Sequence, residues 1–298
     1  MHSFISVMRL QRTIQNELVF EGRGLHTGAE VTMRLRPAPR DSGIVFYRSD
    51  KDAYINANIT SVSDTAFATT LSNGTAKVKT VEHLMAAVSG LGVDNLLVEI
   101  NGPELPILDG SSQPFVDAIL AGGIARQASN RPYMKVTKPV VFKEGDSEIA
   151  VFPYDGRMIT YQINFDHHLL GHQQLCLELC DNSFMNEVAP ARTFGFLKDV
   201  EYLKSRGLAM GGSLDNAIIL DDNGVLNPTG LRFKDEFIRH KVLDFIGDIS
   251  LGGFPIFGHF VVNRSGHTTN TRFLKHFLSN PDCWEIVTDL EMSLKATA

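Results

Sequence analysis

Cysteine is scarce in this chain, with only Cys176, Cys180 and Cys283 among 298 residues. An odd, small number cannot build the disulfide framework of a secreted protein and suits a reducing compartment. No apolar run approaches the roughly 18 residues needed to span a bilayer. The opening MHSFISVMRLQRTIQN lacks the apolar stretch and small-residue cleavage site of a secretory signal. There is no basic tract, and the formal net charge is −6. The concentrated positive surface that neutralises nucleic-acid phosphates is therefore missing. G-x-S-x-G is absent, and GRGLHTG around His26 is neither a P-loop nor a full G-x-G-x-x-G. These absences leave a soluble cytoplasmic protein, expected to be a monomer, with a small-molecule substrate, no nucleic acid and no transmembrane segment.

What is present is globular composition, 43% hydrophobic and 21% charged, in a chain long enough for two ordinary domains. Short alternating segments such as AEVTMRLRPA lead to a helix in TVEHLMAAVSGLG, a strand in NLLVEI and a second helix near residues 114 to 122. The polar, proline-containing ARQASNRPY then reads as a linker, dividing the chain into domains 1–129 and 130–298. The second half opens with strands, among them MITYQINFD and HQQLCLELC, and ends with helical segments and the strand FGHFVVN. Strands grouped ahead of helices favour an α+β fold over a doubly wound sheet. EHLMAAVSGLG and RHKVLDFIGDISLGG, each followed by a strand, form a weak internal parallel that sets His83 opposite His240.

In DEFIRHKVLDFIGDIS, His240, Asp244 and Asp248 recur every four residues. On an α-helix they fall within an arc of roughly 80°, with Val242, Leu243, Phe245, Ile246 and Ile249 opposite. A solvated helix face is the plain explanation. The alternative is that His240 and Asp244 reach one metal ion, as residues at i and i+4 can. In KVKTVEHLMAAVSG, Thr80 reads as the N-cap, with Glu82 and His83 in the first turn and Gly90 and Gly92 ending the helix. An adjacent Glu-His pair can give a metal one ligand and a nearby water one base. His83, His240 and Asp244 then form a sufficient ligand set, with Glu82 as base. His267, in NRSGHTTN, is expected on a loop rim where it could protonate a leaving group, with Asp248 orienting it. His26 is expected to shape the site at most. His167, His168 and His172 read as polar loop residues and His259 as a strand residue. Cys176 and Cys180 read as one face of a strand rather than as zinc ligands.

Together, GLHTG, TVEHLMAA, LGVDNLLVEINGPELPILDGS, ARTFGF, YLKSRGLAMGGSLDNAI, LRFKDEFIRHKVLDFIGD and SGH resemble the UDP-3-O-acyl-N-acetylglucosamine deacetylase family over nearly the whole chain. The resemblance implies two α/β sandwich domains of similar topology packed together, each with a small insert. It implies Zn2+, with Fe2+ as the alternative ion, held by His83, His240 and Asp244. Glu82 would take a proton from water, Thr193 would stabilise the oxyanion, and His267, held by Asp248, would protonate the leaving amine. It further implies an acyl passage formed by Leu197, Val200, Ala209, Gly212, Ser213, Ala217 and Ile219, with Lys241 and Phe194 touching the nucleotide-sugar. Two other classes stay open. Two histidines and a carboxylate also make the facial triad of Fe(II) oxygenases, although their H-x-D on a strand is absent. A non-catalytic two-domain binding protein would leave the acidic row merely solvated.

Overall fold

A computed structural model of the protein describes residues 9–288. Its first sheet has five strands in the order Leu18–Arg23, Glu30–Pro37, Leu96–Ile100, Ile44–Arg48, Ala53–Asn56. Alternation decides which face is buried. Val31, Met33 and Leu35 are buried, while the residues between them are at least partly exposed. Register carries that face across the sheet, setting Phe20 opposite Met33, Leu35 opposite Val98, and Phe46 beside Val98. The second half repeats the logic around Ile256–Asn263, which pairs antiparallel with Ser147–Phe152 and parallel with both Arg157–Asn164 and Tyr133–Val136. Each half also carries one small three-stranded sheet, Val62–Asp64/Thr70–Ser72/Lys77–Val78 in the first and Phe194–Phe196/Ile218–Asp221/Gly224–Val225 in the second. The architecture is α+β, with strand pairing among the described residues confined either to residues up to Asn130 or to residues from Tyr133 onward.

Two helices join the halves. Every residue of Glu82–Leu91 is buried, as are most residues of Glu236–Ser250. The helices cross closely because Gly247 presents only hydrogen to the Glu82 carbonyl, where a Cβ would collide. Apolar residues from both helices and both large sheets form a single buried cluster.

Several expectations need correction. ARQASNRPY is not a linker, since Ile124–Asn130 is a strand paired antiparallel with Leu10–Ile14. Thr80 is not the N-cap. Its hydroxyl donates to Glu104 Oε1 at 2.8 Å, and Val81 takes the cap position without a side-chain bond. A buried carboxylate is the stronger acceptor and wins the hydroxyl. Thr80 is left at φ +56, a costly conformation for a β-branched residue and one that the surrounding bonds must hold. His267 is not on a loop rim but is the first residue of the His267–Leu278 helix. Cys176 lies in the strand His172–Glu178, which His172 opens, whereas Cys180 lies beyond it; both cysteines are free and exposed.

Candidate metal and catalytic site

The row His240, Asp244, Asp248 is not a solvated face: all three are buried, at 3%, 3% and 0% exposure. Burying three ionisable groups in the middle of an apolar cluster is costly unless each finds a compensating partner. The Glu82–Leu91 helix meets this face and supplies Glu82 and His83.

His83, His240 and Asp244 converge, with one ligand atom from each lying within 4.8 Å of the others. His240 Nδ1 lies 3.1 Å from the Ala191 carbonyl, which can only accept, so the Nδ1–H donates and Nε2 keeps its lone pair. That Nε2 lies 3.3 Å from Asp244 Oδ1, and His83 Nε2 lies 3.7 Å from the same oxygen. Asp244 Oδ2 accepts from Lys241 Nζ at 2.9 Å, but buried Oδ1 has no hydrogen-bond partner in the protein. Burial pushes the His83 imidazole down to about 3, and burial likewise lowers His240. Burial works against the charge on Asp244 too, but His240, Lys241, His267 and His83 hold its carboxyl far below the usual carboxylate range. The result is two neutral imidazoles and a carboxylate oxygen gathered with no proton between them. Such a donor set fits a divalent cation of the Zn2+ or Fe2+ type.

Glu82 and His267 stand beside this cluster, with Glu82 Oε1 3.8 Å from His267 Nε2. Glu82 Oε2 accepts from the Thr69 amide at 3.0 Å. Burial lifts the Glu82 carboxyl to about 8; His267 opposes the rise, while Asp248 and Asp244 add to it. Burial disfavours charge on His267, yet Asp248 overrides it and raises the imidazole to about 9. The link is short, with His267 Nδ1 donating to Asp248 Oδ2 at 2.8 Å. Asp248 is itself held by Asn270 Nδ2 at 2.8 Å and by the Thr69 hydroxyl at 2.6 Å.

From the cluster opens a cavity of about 850 Å³. Its lining includes His240, Asp244, His267, Lys241, Thr193 and Phe194, together with Leu197, Val200, Ala209, Gly212, Ser213, Ala217 and Ile219. His26 lines it as well, whereas Glu82, His83 and Asp248 lie outside the lining. His167, stacked on His168, is not part of it, nor is His259, which contacts the Thr160 hydroxyl. Thr69, Asn270, Phe67, Phe165, Leu203 and Leu226 belong to the site or its cavity without having been singled out from sequence. Asn270 was findable: it sits three residues past His267, on the same helix face once a helix starts there. Nothing in the spacing of DTAFATTL marks Thr69.

The family model described as UDP-3-O-acyl N-acetylglycosamine deacetylase matches residues 11–279. A UDP-3-O-acyl-N-acetylglucosamine deacetylase of Thermodesulfovibrio yellowstonii is 46% identical over 291 residues, covering 98% of this chain and 99% of its own. Relatives of the same name from a Geobacter species and from Acidithiobacillus ferrooxidans are each 46% identical, over 282 and 281 residues. They cover 94% and 93% of this chain and 92% of their own lengths. The chain belongs to the UDP-3-O-acyl-N-acetylglucosamine deacetylase family, a family of deacetylating hydrolases in lipid A biosynthesis.

Proposed function

We propose that this protein removes the acetyl group from UDP-3-O-acyl-N-acetylglucosamine, releasing acetate and the free amine, with a Zn2+ ion, or Fe2+ in its place, held by His83, His240 and Asp244. The observation that carries the reading is the unpartnered buried Oδ1 of Asp244 facing two neutral imidazoles beside a large, mostly apolar cavity. When bound, such an ion supplies Lewis acidity, polarising a carbonyl and lowering the pKa of water.

The protein's own groups divide the remaining work. Glu82, buried and lifted to about 8, accepts a proton in its ionised form from water as that water's oxygen attacks the acetamide carbon. Thr193, on the cavity wall, donates to the charge that develops on the carbonyl oxygen. His267, kept protonated by Asp248, gives its proton to the amine nitrogen as the C–N bond breaks. The Leu197–Leu226 part of the wall takes the acyl chain, each buried methylene contributing about 0.8 kcal/mol. Lys241, raised in pKa by Asp244 against the effect of burial, and Phe194 face the nucleotide-sugar.

On the same reading the protein is a cytoplasmic monomer with domains 1–129 and 130–298, although strand pairing separates just after this boundary, since Asn130 still pairs with Leu10. No helix among the described residues is long and apolar enough to cross a membrane. The test is acetate release by Glu82→Gln, which keeps the shape and removes the base. Loss of about 10²-fold or more in kcat with metal content retained is expected, whereas near-normal turnover would remove Glu82 from its role.

A further inference from the structure

A second cavity, of about 450 Å³, lies against the far ends of the two site helices, where Met85, Val88 and Ile249 form part of its wall. Both halves of the chain line it, since Asn56 comes from the first and Arg157 and Ile256 from the second. Its volume is in the range of small-ligand pockets.

Four arginines gather near this end of the Glu82–Leu91 helix, and three of them are ion-paired, two of these sharing one carboxylate. Arg9 and Arg12 reach Asp181 at 3.2 and 3.0 Å, and Arg131 pairs with Asp94. Arg12 also donates to the Leu91 carbonyl, so part of the cluster serves the helix's negative end. Arg157 has no ion pair among the described residues, and its guanidinium makes one hydrogen bond, to Ser89 Oγ at 3.1 Å. Burial, and then Arg131 and Arg9, push its pKa down to about 9, so at neutral pH it keeps a charge that its surroundings disfavour. Neither carboxylate of the lining pairs with it: Asp94 is held by Arg131, and Asp41, exposed, takes a hydrogen bond from Gln11 Nε2 at 2.7 Å. Asp181 acts on Arg157 only from beyond ion-pair distance, and a cation without a direct ion pair over an apolar floor is what an anionic head on an apolar body complements.

The geometry points to a binding site for a small carboxylate with an apolar body, its head on Arg157 and its body against Met85, Val88 and Ile249. This site is separate from the cavity beside His240, and the inference does not depend on the reaction performed there. The probes are 6-bromohexanoate, the neutral hexanamide and inorganic phosphate, titrated calorimetrically into the full-length metal-loaded protein. Crystals soaked in 6-bromohexanoate then locate the ligand by bromine anomalous scattering. Expected are a bromine peak near Met85 and Ile249, and affinity at least about tenfold weaker for hexanamide and for Arg157→Gln. Arg157→Lys should recover part of that loss. Asn56→Trp, which puts a bulky ring on an exposed part of the lining contributed by the other half of the chain, should also weaken binding, with thermal melting confirming that both variants fold. Bromine only in the cavity beside Lys241, or undiminished binding by Arg157→Gln or Asn56→Trp, would overturn the site. Phosphate binding as tightly as the bromo acid would overturn the ligand class.

Discussion

Gly247→Ala adds one methyl group where the two site helices touch, and its effect can be worked from the contact it disturbs. Ala is the better helix former by about 1 kcal/mol, so a helix with room would gain stability. Here the new Cβ meets the Glu82 carbonyl oxygen and carbon, which are backbone atoms and cannot rotate away. Relief needs the helices to separate by something on the order of 1 Å, and forced overpacking of this kind costs roughly 1–3 kcal/mol. The separation falls on the residue pair that matters. Glu82 and His83 sit on one helix, His240 and Asp244 on the other, and misplacement of about 1 Å can cost on the order of 10²-fold in rate. Urea denaturation gives the stability change, and acetate release with metal content gives the functional one. The expected variant folds, with stability unchanged or reduced, binds metal more weakly and loses about 10²-fold in kcat. A variant more stable than the parent with full activity would refute the view that this glycine sets the distance between the halves of the site.

Asp248→Asn removes the carboxylate that lifts the His267 pKa. His267 should then lose its proton at lower pH, moving the alkaline limb of kcat/KM acidward; an unmoved limb would detach Asp248 from His267. For stability, a folded pKa of about 9 against the ordinary 6.5 means that the pair's contribution is fully present below about 6.5 and is lost as pH rises through about 9. Glu236 is fully buried and accepts from the Arg192 backbone, Nε and Nη2 and from the Arg232 backbone, tying the Thr193 segment to the start of the His240 helix. Glu236→Gln should cost about 3–5 kcal/mol by urea denaturation, and a loss under about 1 kcal/mol would show that the network is redundant.

The helices were legible because period 3.6 survives in sequence, and DEFIRHKVLDFIGDIS and TVEHLMAAVSG both carry it. Periodicity says which residues share a face and not what that face meets, so the burial of His240, Asp244 and Asp248 could not be read from one segment. The partner helix lies some 150 residues earlier in the chain, and what brought His83 to the same ion was the chemistry of the adjacent Glu82–His83 pair and then the family resemblance, not any spacing. Ile124–Asn130 was missed because an edge strand with a half-exposed, polar sequence looks like a linker until Leu10–Ile14 is laid beside it. Thr80 was misread for a similar reason, because its hydroxyl is claimed by Glu104, 24 residues away. Thr69 joins Glu82 and Asp248 through one backbone and one side-chain bond, a role that no local pattern announces.

The central claim is that His83, His240 and Asp244 hold one ion that the hydrolysis requires. It is tested most directly by metal analysis and acetate release on the same samples: parent protein, chelated protein, protein reloaded with Zn2+ or Fe2+, and His240→Ala. About one ion per chain in the parent, with acetate release lost on chelation, restored on reloading and absent in His240→Ala, is the predicted result. Acetate release that survives complete removal of metal would contradict it, as would full metal content and activity in His240→Ala.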